Sequence, residues 1–423
     1  MRFSLLRGAD FTENVSRRGP SSERHYRSAV SSWLQRKYGN YDGQSAFGGD
    51  WLPLSDWFER FLAALLWWPG RKRDAHGRVV DRGRVPTKAW VKERIELLEQ
   101  HVGEATKVQF LPMSFSSSYM PKGLKTLRGA VVQTTYPTPA DFADDLKLSS
   151  EPARSRHRDH LTKALALVRQ SLRLQEPGPQ DNRPKLDLLI LPELSIHPDD
   201  IDRYLKPFAR AFKTIVLAGV AFEALTPEKE ELVNTAVWII PEYSTTNGWN
   251  VRSRRQGKFN LMALETGRQQ DGHPIAGYRP CQWIIECPAS RTTVKPLRLS
   301  ASVCYDATDL SIVADLRERA DVYLIPALNK DVQTFDNLAI ALSYQMYQLV
   351  VVANNGRYGG SSAYWPIGEP HERRIMHLHG QDQPTLGFFE ISDVVEYRRG
   401  RVENLPKRYS WKTPPAGYPK KAG

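Results

Sequence analysis

A chain of 423 residues, 41% hydrophobic and 25% charged, has the composition of a folded globular protein, long enough for one large domain with an appendage or for two domains, and disorder over most of the length is excluded. The most apolar short run, Phe58 to Trp68, is about half the ~20 residues a bilayer crossing requires, and the N-terminus lacks the basic-then-apolar layout of a signal peptide, so no membrane role is expected. Three cysteines, Cys281, Cys287 and Cys304, are too few and too unevenly spaced for a disulfide framework or a zinc ribbon, which points to a reducing, cytoplasmic setting.

The net charge of +12 is concentrated at the two ends. Residues 1–125 carry 21 Lys/Arg against 13 Asp/Glu, residues 398–423 carry 8 against 1, and residues 126–397 carry 30 against 33. Basic ends of this kind either attract nucleic acid, by releasing its counterions, or simply form a solvated surface.

Residues 1–125 read as a basic helical extension. In ERHYRSAVSSWLQRKY the apolar Tyr26, Ala29, Val30, Trp33 and Leu34 recur at three- and four-residue spacing, one stripe on a helix. LPLSDWFERFLAALLWW repeats the pattern behind a Ser55 cap and stops at Pro69-Gly70, and TKAWVKERIELLEQHV forms a third helix opened by Thr87. Between them the charged, glycine-broken stretch from Gly70 to Pro86 reads as a loop. His25, His76 and His101 are scattered and suggest no ligand set.

From about residue 126 the texture changes. Apolar strands are expected in GAVVQTTYP, LDLLILPE, TIVLAGVAF, LVNTAVWIIP, QWIIEC and LRLSASVC, and helices over His157–Leu174, Asp199–Phe212, Asp309–Ala320 and Asp336–Leu349. Strands alternating with helices imply an α/β architecture, a sheet covered on at least one face. The tail from Arg398 is basic and proline-rich, an extended arm.

Three residues at the ends of apolar segments can carry chemistry. Cys304 stands where a strand gives way to a helix, a place that suits a thiolate nucleophile, although a lone cysteine is more often core. Glu193 stands just beyond LDLLILP, where desolvation lifts a carboxyl toward the range of a general base; by itself it reads as a loop acid or helix cap. Lys258 opens an apolar stretch with Glu265 seven residues on, and alone it reads as a snorkelling surface lysine.

Together these segments resemble the nitrilase, or carbon–nitrogen hydrolase, superfamily, whose members carry Glu, Lys and Cys in that chain order. The motifs here are LILPEL, GKFNL and SVCYD, followed by LIPAL and by VVVANNGRYGGSSAYWP, and the similarity runs from about Gly129 to Ser392. The resemblance implies a four-layer α-β-β-α sandwich at 126–397 beside a small all-α extension. It also implies cleavage of a non-peptide carbon–nitrogen bond through a thioester, with Glu193 as base, Cys304 as nucleophile, and Lys258 with the Tyr305 backbone N–H as oxyanion donors. Glu265 matches a supporting glutamate, Asp306 and Asn354 shape the pocket, and His197, Tyr358 and Trp365 are assigned to its lining. No cofactor or metal is implied.

The chain departs from the family in reading SIHPDD after the glutamate and Lys-Phe-Asn-Leu around the lysine. Tyr305 follows the cysteine where nitrile hydrolases carry Trp, which favours amide or carbamoyl-amide substrates. The family also commonly pairs subunits, so a homo-oligomer is expected. Two alternatives remain open: an N-acyltransferase, or a regulatory or oligomerisation module, since nitrilase-like domains also occur joined to reverse transcriptases in bacterial antiviral systems. In the second, the basic ends, with Arg71, Lys72 and Arg73, would contact nucleic acid.

Overall fold

The computed structural model describes residues 103–106, 108–114, 126–174, 186–224, 231–244, 248–266, 274–287, 296–380 and 382–391, with short pieces at 71–73, 79–81, 88–89, 92 and 415–416. The first two helices expected in the extension and nearly all of the basic tail lie outside the described residues. Of the third helix, residues 88, 89 and 92 are described, and they are helical.

Two sheets form the molecule's centre. The first has the order β15-β14-β13-β12-β11-β10-β3: Arg374–His379, Gly359–Tyr364, Leu349–Ala353, Val322–Pro326, Leu297–Ala301, Gln282–Cys287 and Phe110–Ser114. The second runs β16-β4-β5-β6-β7-β8: Thr385–Ile391, Leu127–Gln133, Leu188–Ile196, Ile215–Ala224, Leu232–Ser244 and Gly248–Gly257, with the short β9 (Ile275–Ala276) beside β7. Period-two alternation builds the layers. Leu188, Ile190, Ile215, Leu217 and Trp238 face the other sheet, where they meet Trp283, Ile285, Leu299 and Leu324. Their neighbours Leu189, Leu191, Val216, Ala218 and Val237 face outward onto helices.

Those helices make the outer layers. Over α2 (Glu151–Leu174) the residues Leu161, Leu165, Val168 and Leu172 form the expected stripe and pack on the second sheet, as does α4 (Lys206–Phe212) through Phe208 and Ala209. On the far side α6 (Leu310–Leu316) buries Ile312, Val313 and Leu316, and α7 (Val332–Met346) buries Phe335, Ala339, Leu342 and Met346 against the first sheet. The architecture is a four-layer α-β-β-α sandwich. Strands β4, β5 and β6 run parallel, as do β11, β12 and β13, so each sheet presents carboxyl ends of central strands, where α/β folds place their ligands.

The region read as an all-α extension ending at residue 125 is corrected on two points. Phe110–Ser114 joins the first sheet as an edge strand parallel to β10, and Asp315 of α6 accepts hydrogen bonds from the backbone N–H groups of Glu104, Ala105 and Thr106, fastening the preceding turn to the sandwich. Phe110, Leu111 and Met113 are buried there, and long-range pairing of that kind leaves no periodic signal in five residues. In addition, β1 (Arg71–Arg73) and β2 (Val79–Asp81) form an antiparallel ribbon inside the stretch read as a loop. The strands β8, β15 and β16 were not expected either; β8 and β15 carry too many polar residues to stand out by hydropathy. Among the described residues no helix is long and apolar enough to cross a membrane.

Candidate active site

Glu193 owes its position to an irregularity in β5. The parallel register with β6 slips between Leu191 and Ile196, and Leu194 adopts a left-handed φ of 56°, so the backbone at Pro192–Ser195 bulges out of the ladder. Ser195 Oγ donates to Pro192 O at 2.7 Å, and His157 Nε2 of α2 donates to Ser195 O at 2.7 Å, pinning the bulge from both sides. On β6, Gly219 lies against it so closely that a Cβ there would sit 2.3 Å from Glu193 Cα. This glycine is a packing requirement rather than a turn.

Lys258 follows β8 directly. Its N–H donates to Asn234 O on β7 (3.0 Å) and its carbonyl accepts from Tyr278 N (2.8 Å), so the residue is held on both sides by backbone. Nζ donates to Glu193 Oε1 at 2.9 Å and to Glu265 Oε2 at 2.7 Å. Glu265 lies on the short helix α5 (Ala263–Thr266), and the same oxygen accepts from Met262 N. Asn234 completes the group: its Nδ2 donates to Glu193 Oε1 and to Glu265 Oε1, each at 2.8 Å. The remaining oxygen of Glu193 accepts from the backbone N–H of Leu328, beyond β12, at 2.9 Å.

Cys304 stands three residues beyond β11 at the start of a 3-10 turn, Cys304–Thr308. Its φ of 47° is left-handed, a conformation that costs an L-residue about 1–2 kcal/mol and is found where a site needs a side chain aimed away from the strand. The thiol stands beside the Glu193 carboxylate and the backbone N–H of Leu328, near enough for both to bear on its ionisation. Asp306 ties this turn to the lysine loop: it is fully buried, accepts from Phe259 N (2.9 Å) and Asn260 N (2.7 Å), and pairs with Arg279 at 3.0 Å.

The electrostatics follow from burial. Glu193, Lys258, Glu265 and Cys304 are 4%, 1%, 7% and 3% exposed. Burial opposes the Lys258 charge, but the Glu193 carboxylate, Cys304 and Glu265 outweigh it, so the amine is held above its ordinary value and stays an ammonium. For Cys304, burial and the adjacent Glu193 carboxylate push the thiol well up, against the pull of Lys258 and the Leu328 N–H. The resting thiol is neutral. The Glu193 carboxylate beside it is a candidate acceptor for its proton.

The four residues line one cavity of about 260 Å³, together with Phe142, Leu194, Phe222, Met262, Ile275, Leu328 and Tyr358. Tyr358 therefore stands where the lining was expected. Two other lining assignments are corrected. His197 caps α3 (Pro198–Asp200), its Nδ1 accepting from Asp199 N at 3.2 Å, and Trp365 is buried in the hydrophobic core with Nε1 donating to Glu372 O; neither is among the residues that line the cavity. The Tyr305 side chain is 41% exposed. Asn354 stands behind the wall, its side chain bonded to both backbone groups of Asn329 and to Gly359 O. Asn234 and Gly219 were not anticipated. Asn234 had a visible signal, an amide inside the apolar strand LVNTAVWIIP, whereas the need for Gly219 arises only from its neighbour across the sheet. Among the described residues no three His, Cys, Asp or Glu side chains are grouped to hold a metal ion.

Fold and site together define a layered α-β-β-α protein with a buried carboxylate, ammonium and thiol at the carboxyl ends of both sheets. No protein-family model matches the chain, and no curated protein matches it in sequence. Among solved structures it is similar to Saccharomyces cerevisiae Nit3, a member of branch 10 of the nitrilase superfamily, with 16% identity, coverage of 68% of this chain and 97% of that one, and a TM-score of 0.43. It is also similar to the NitN amidase from Nesterenkonia sp. AN1, with 18% identity, 64% and 95% coverage and a TM-score of 0.42. A CN-hydrolase superfamily protein from Xanthomonas campestris with an arsenic adduct in its active site gives 17%, 65% and 94%, and 0.41.

Proposed function

We propose that this chain is a nitrilase-like carbon–nitrogen hydrolase that cleaves a non-peptide amide through a thioester on Cys304. One observation carries the reading: a single carboxylate, Glu193, accepts a hydrogen bond from the Lys258 ammonium and stands beside the Cys304 thiol inside one cavity. A thiol kept neutral by burial is no nucleophile until its proton moves, and Glu193 is placed to take it.

The steps balance on these groups. Sulfur attacks the carbonyl carbon, forming the C–S bond as the thiol proton passes to Glu193, and the carbonyl oxygen takes the negative charge. Lys258 Nζ and the N–H of Tyr305 are the proposed donors to that oxygen; Tyr305 is the second residue of the 3-10 turn, where the first N–H groups have no partner within the turn. Collapse breaks the C–N bond, and the proton on Glu193 goes to the departing nitrogen. Water then attacks the thioester and gives a proton to Glu193, the C–S bond breaks, and that proton returns to sulfur as the acid leaves. Glu265 and Asn234 never meet the substrate carbon in this scheme; they hold Lys258 and Glu193 in place.

The test is Cys304→Ala, with folding checked by circular dichroism. Ammonia release from amides should fall to background, and quenched wild-type reactions should show an acyl mass on the Cys304 peptide. An active Cys304→Ala protein would overturn the reading.

A further inference from the structure

Resting on the hydrolase reading, we infer that the cavity selects amides whose acyl group is uncharged, apolar and about the size of phenylacetyl, and that it rejects acyl groups bearing a second carboxylate. Size is the first observation. At about 260 Å³ the cavity exceeds the ~150 Å³ that holds a benzene ring in an apolar protein interior, so an aryl ring and the amide fit together. Its walls are the second. Phe142, Leu194, Phe222, Met262, Ile275 and Leu328 surround the space, with the Phe142 and Phe222 rings edge to face at 5.7 Å. Leu194 belongs to this wall through the same left-handed backbone that sets Glu193, so the residue beside the acid is committed to contact with the acyl group.

The third observation is charge. The floor holds two carboxylates and one ammonium, and that ammonium is already bonded to both. A carboxylate on the substrate would therefore lose its water, meet no free cation inside and face a net negative floor. At the exposed rim Lys330 and Asp331 offset one another in sign, and Asp331 is engaged in capping α7.

Ammonia release by the full chain is measured with acetamide, phenylacetamide, valeramide and glutaramate, the last two differing chiefly by a terminal carboxylate. The expected kcat/KM for phenylacetamide exceeds that for acetamide by on the order of 100-fold, and valeramide exceeds glutaramate by at least about 100-fold. Equal or better turnover of acetamide or glutaramate would overturn the inference. Met262 is 37% exposed, so Met262→Trp fills the cavity without threatening the fold and should lower the phenylacetamide-to-acetamide ratio by about tenfold; an unchanged ratio counts against the assigned wall. Calorimetry on Cys304→Ala separates the two claims. If no amide is turned over by wild type but phenylacetamide binds and glutaramate does not, the selectivity stands and the hydrolase reading falls. If amides are turned over but both ligands bind alike, the reverse holds.

Discussion

Replacing Gly219 with alanine asks whether Glu193 is aimed by backbone packing. A Cβ at this position would lie 2.3 Å from Glu193 Cα, 2.4 Å from Pro192 O and 2.7 Å from Leu194 N. All three are backbone atoms and cannot swing aside as a side-chain tip does. Reaching the ~3.5 Å of ordinary carbon contact forces the bulge or β6 to move by about 1 Å. Overpacking of this kind costs about 1–3 kcal/mol of stability, and a 1 Å displacement of a reacting group costs about 100-fold in rate, or ~2.7 kcal/mol of transition-state stabilisation. Urea denaturation reads the first number. The rate of ammonia release and the rate of Cys304 alkylation by iodoacetamide read the second, and the alkylation needs no knowledge of the natural substrate. Gly248→Ala is the control: its φ of 65° penalises any side chain although nothing lies within 4 Å of the new Cβ, and it sits at the opposite end of β8 from Lys258, ~30 Å of strand away. It should lose about 1–2 kcal/mol of stability with alkylation unchanged. A Gly219→Ala protein with wild-type stability and thiol reactivity would refute the reasoning, as would an equal loss of reactivity in Gly248→Ala.

Three further outcomes are expected. Iodoacetamide should label one of the three thiols in the native protein, read by peptide mass: Cys304 opens onto the cavity, whereas Cys281 and Cys287 are enclosed and burial pushes both thiols up; early labelling of either would contradict this. Lys258→Met strands two buried carboxylates and should cost about 3–5 kcal/mol, part of which returns in Lys258→Met/Glu265→Gln; chemical denaturation of the set decides, and a double variant no more stable than Lys258→Met would show that Glu265 does not share the ammonium. Burial, with Arg154 nearby, pulls His157 from 6.5 to about 4, so the folded state binds fewer protons than the unfolded one between those values. The contribution is fully present above pH 6.5 and is lost as pH falls toward 4, up to about 3 kcal/mol; His157→Gln, which keeps a donor for Ser195 O, should flatten that part of the stability profile, and an unchanged slope would rule His157 out as its source.

Much of the sandwich was legible because its causes are local. A run such as Leu188–Leu191 has no polar face, so both of its surfaces must be covered, and the two hydrophobic clusters on either side of β5 are what that pattern demands. Glu193, Lys258 and Cys304 each lay at the end of an apolar segment, but alone each read as structural, and it was their joint order, resembling a family pattern, that singled them out. His197 and Trp365 were misplaced because direction is not local: a bulge turns the chain after Glu193 toward a helix cap, and Trp365 turns into the core. The edge strand Phe110–Ser114 was missed because its partner lies about 170 residues onward.

By itself, then, the sequence determined an α/β architecture and the chemistry available at the strand ends, since hydrophobic period and residue type act over a few neighbouring positions, while the four layers were implied by the family resemblance. Only the tertiary structure decided that Glu193 meets both an ammonium and a thiol, that one Asn234 amide binds two acids, and that Gly219 leaves room for the bulge. Those contacts join β5, β6, β7, β8, β11 and β12, and they depend on strand order and register across two sheets, which no local stretch encodes.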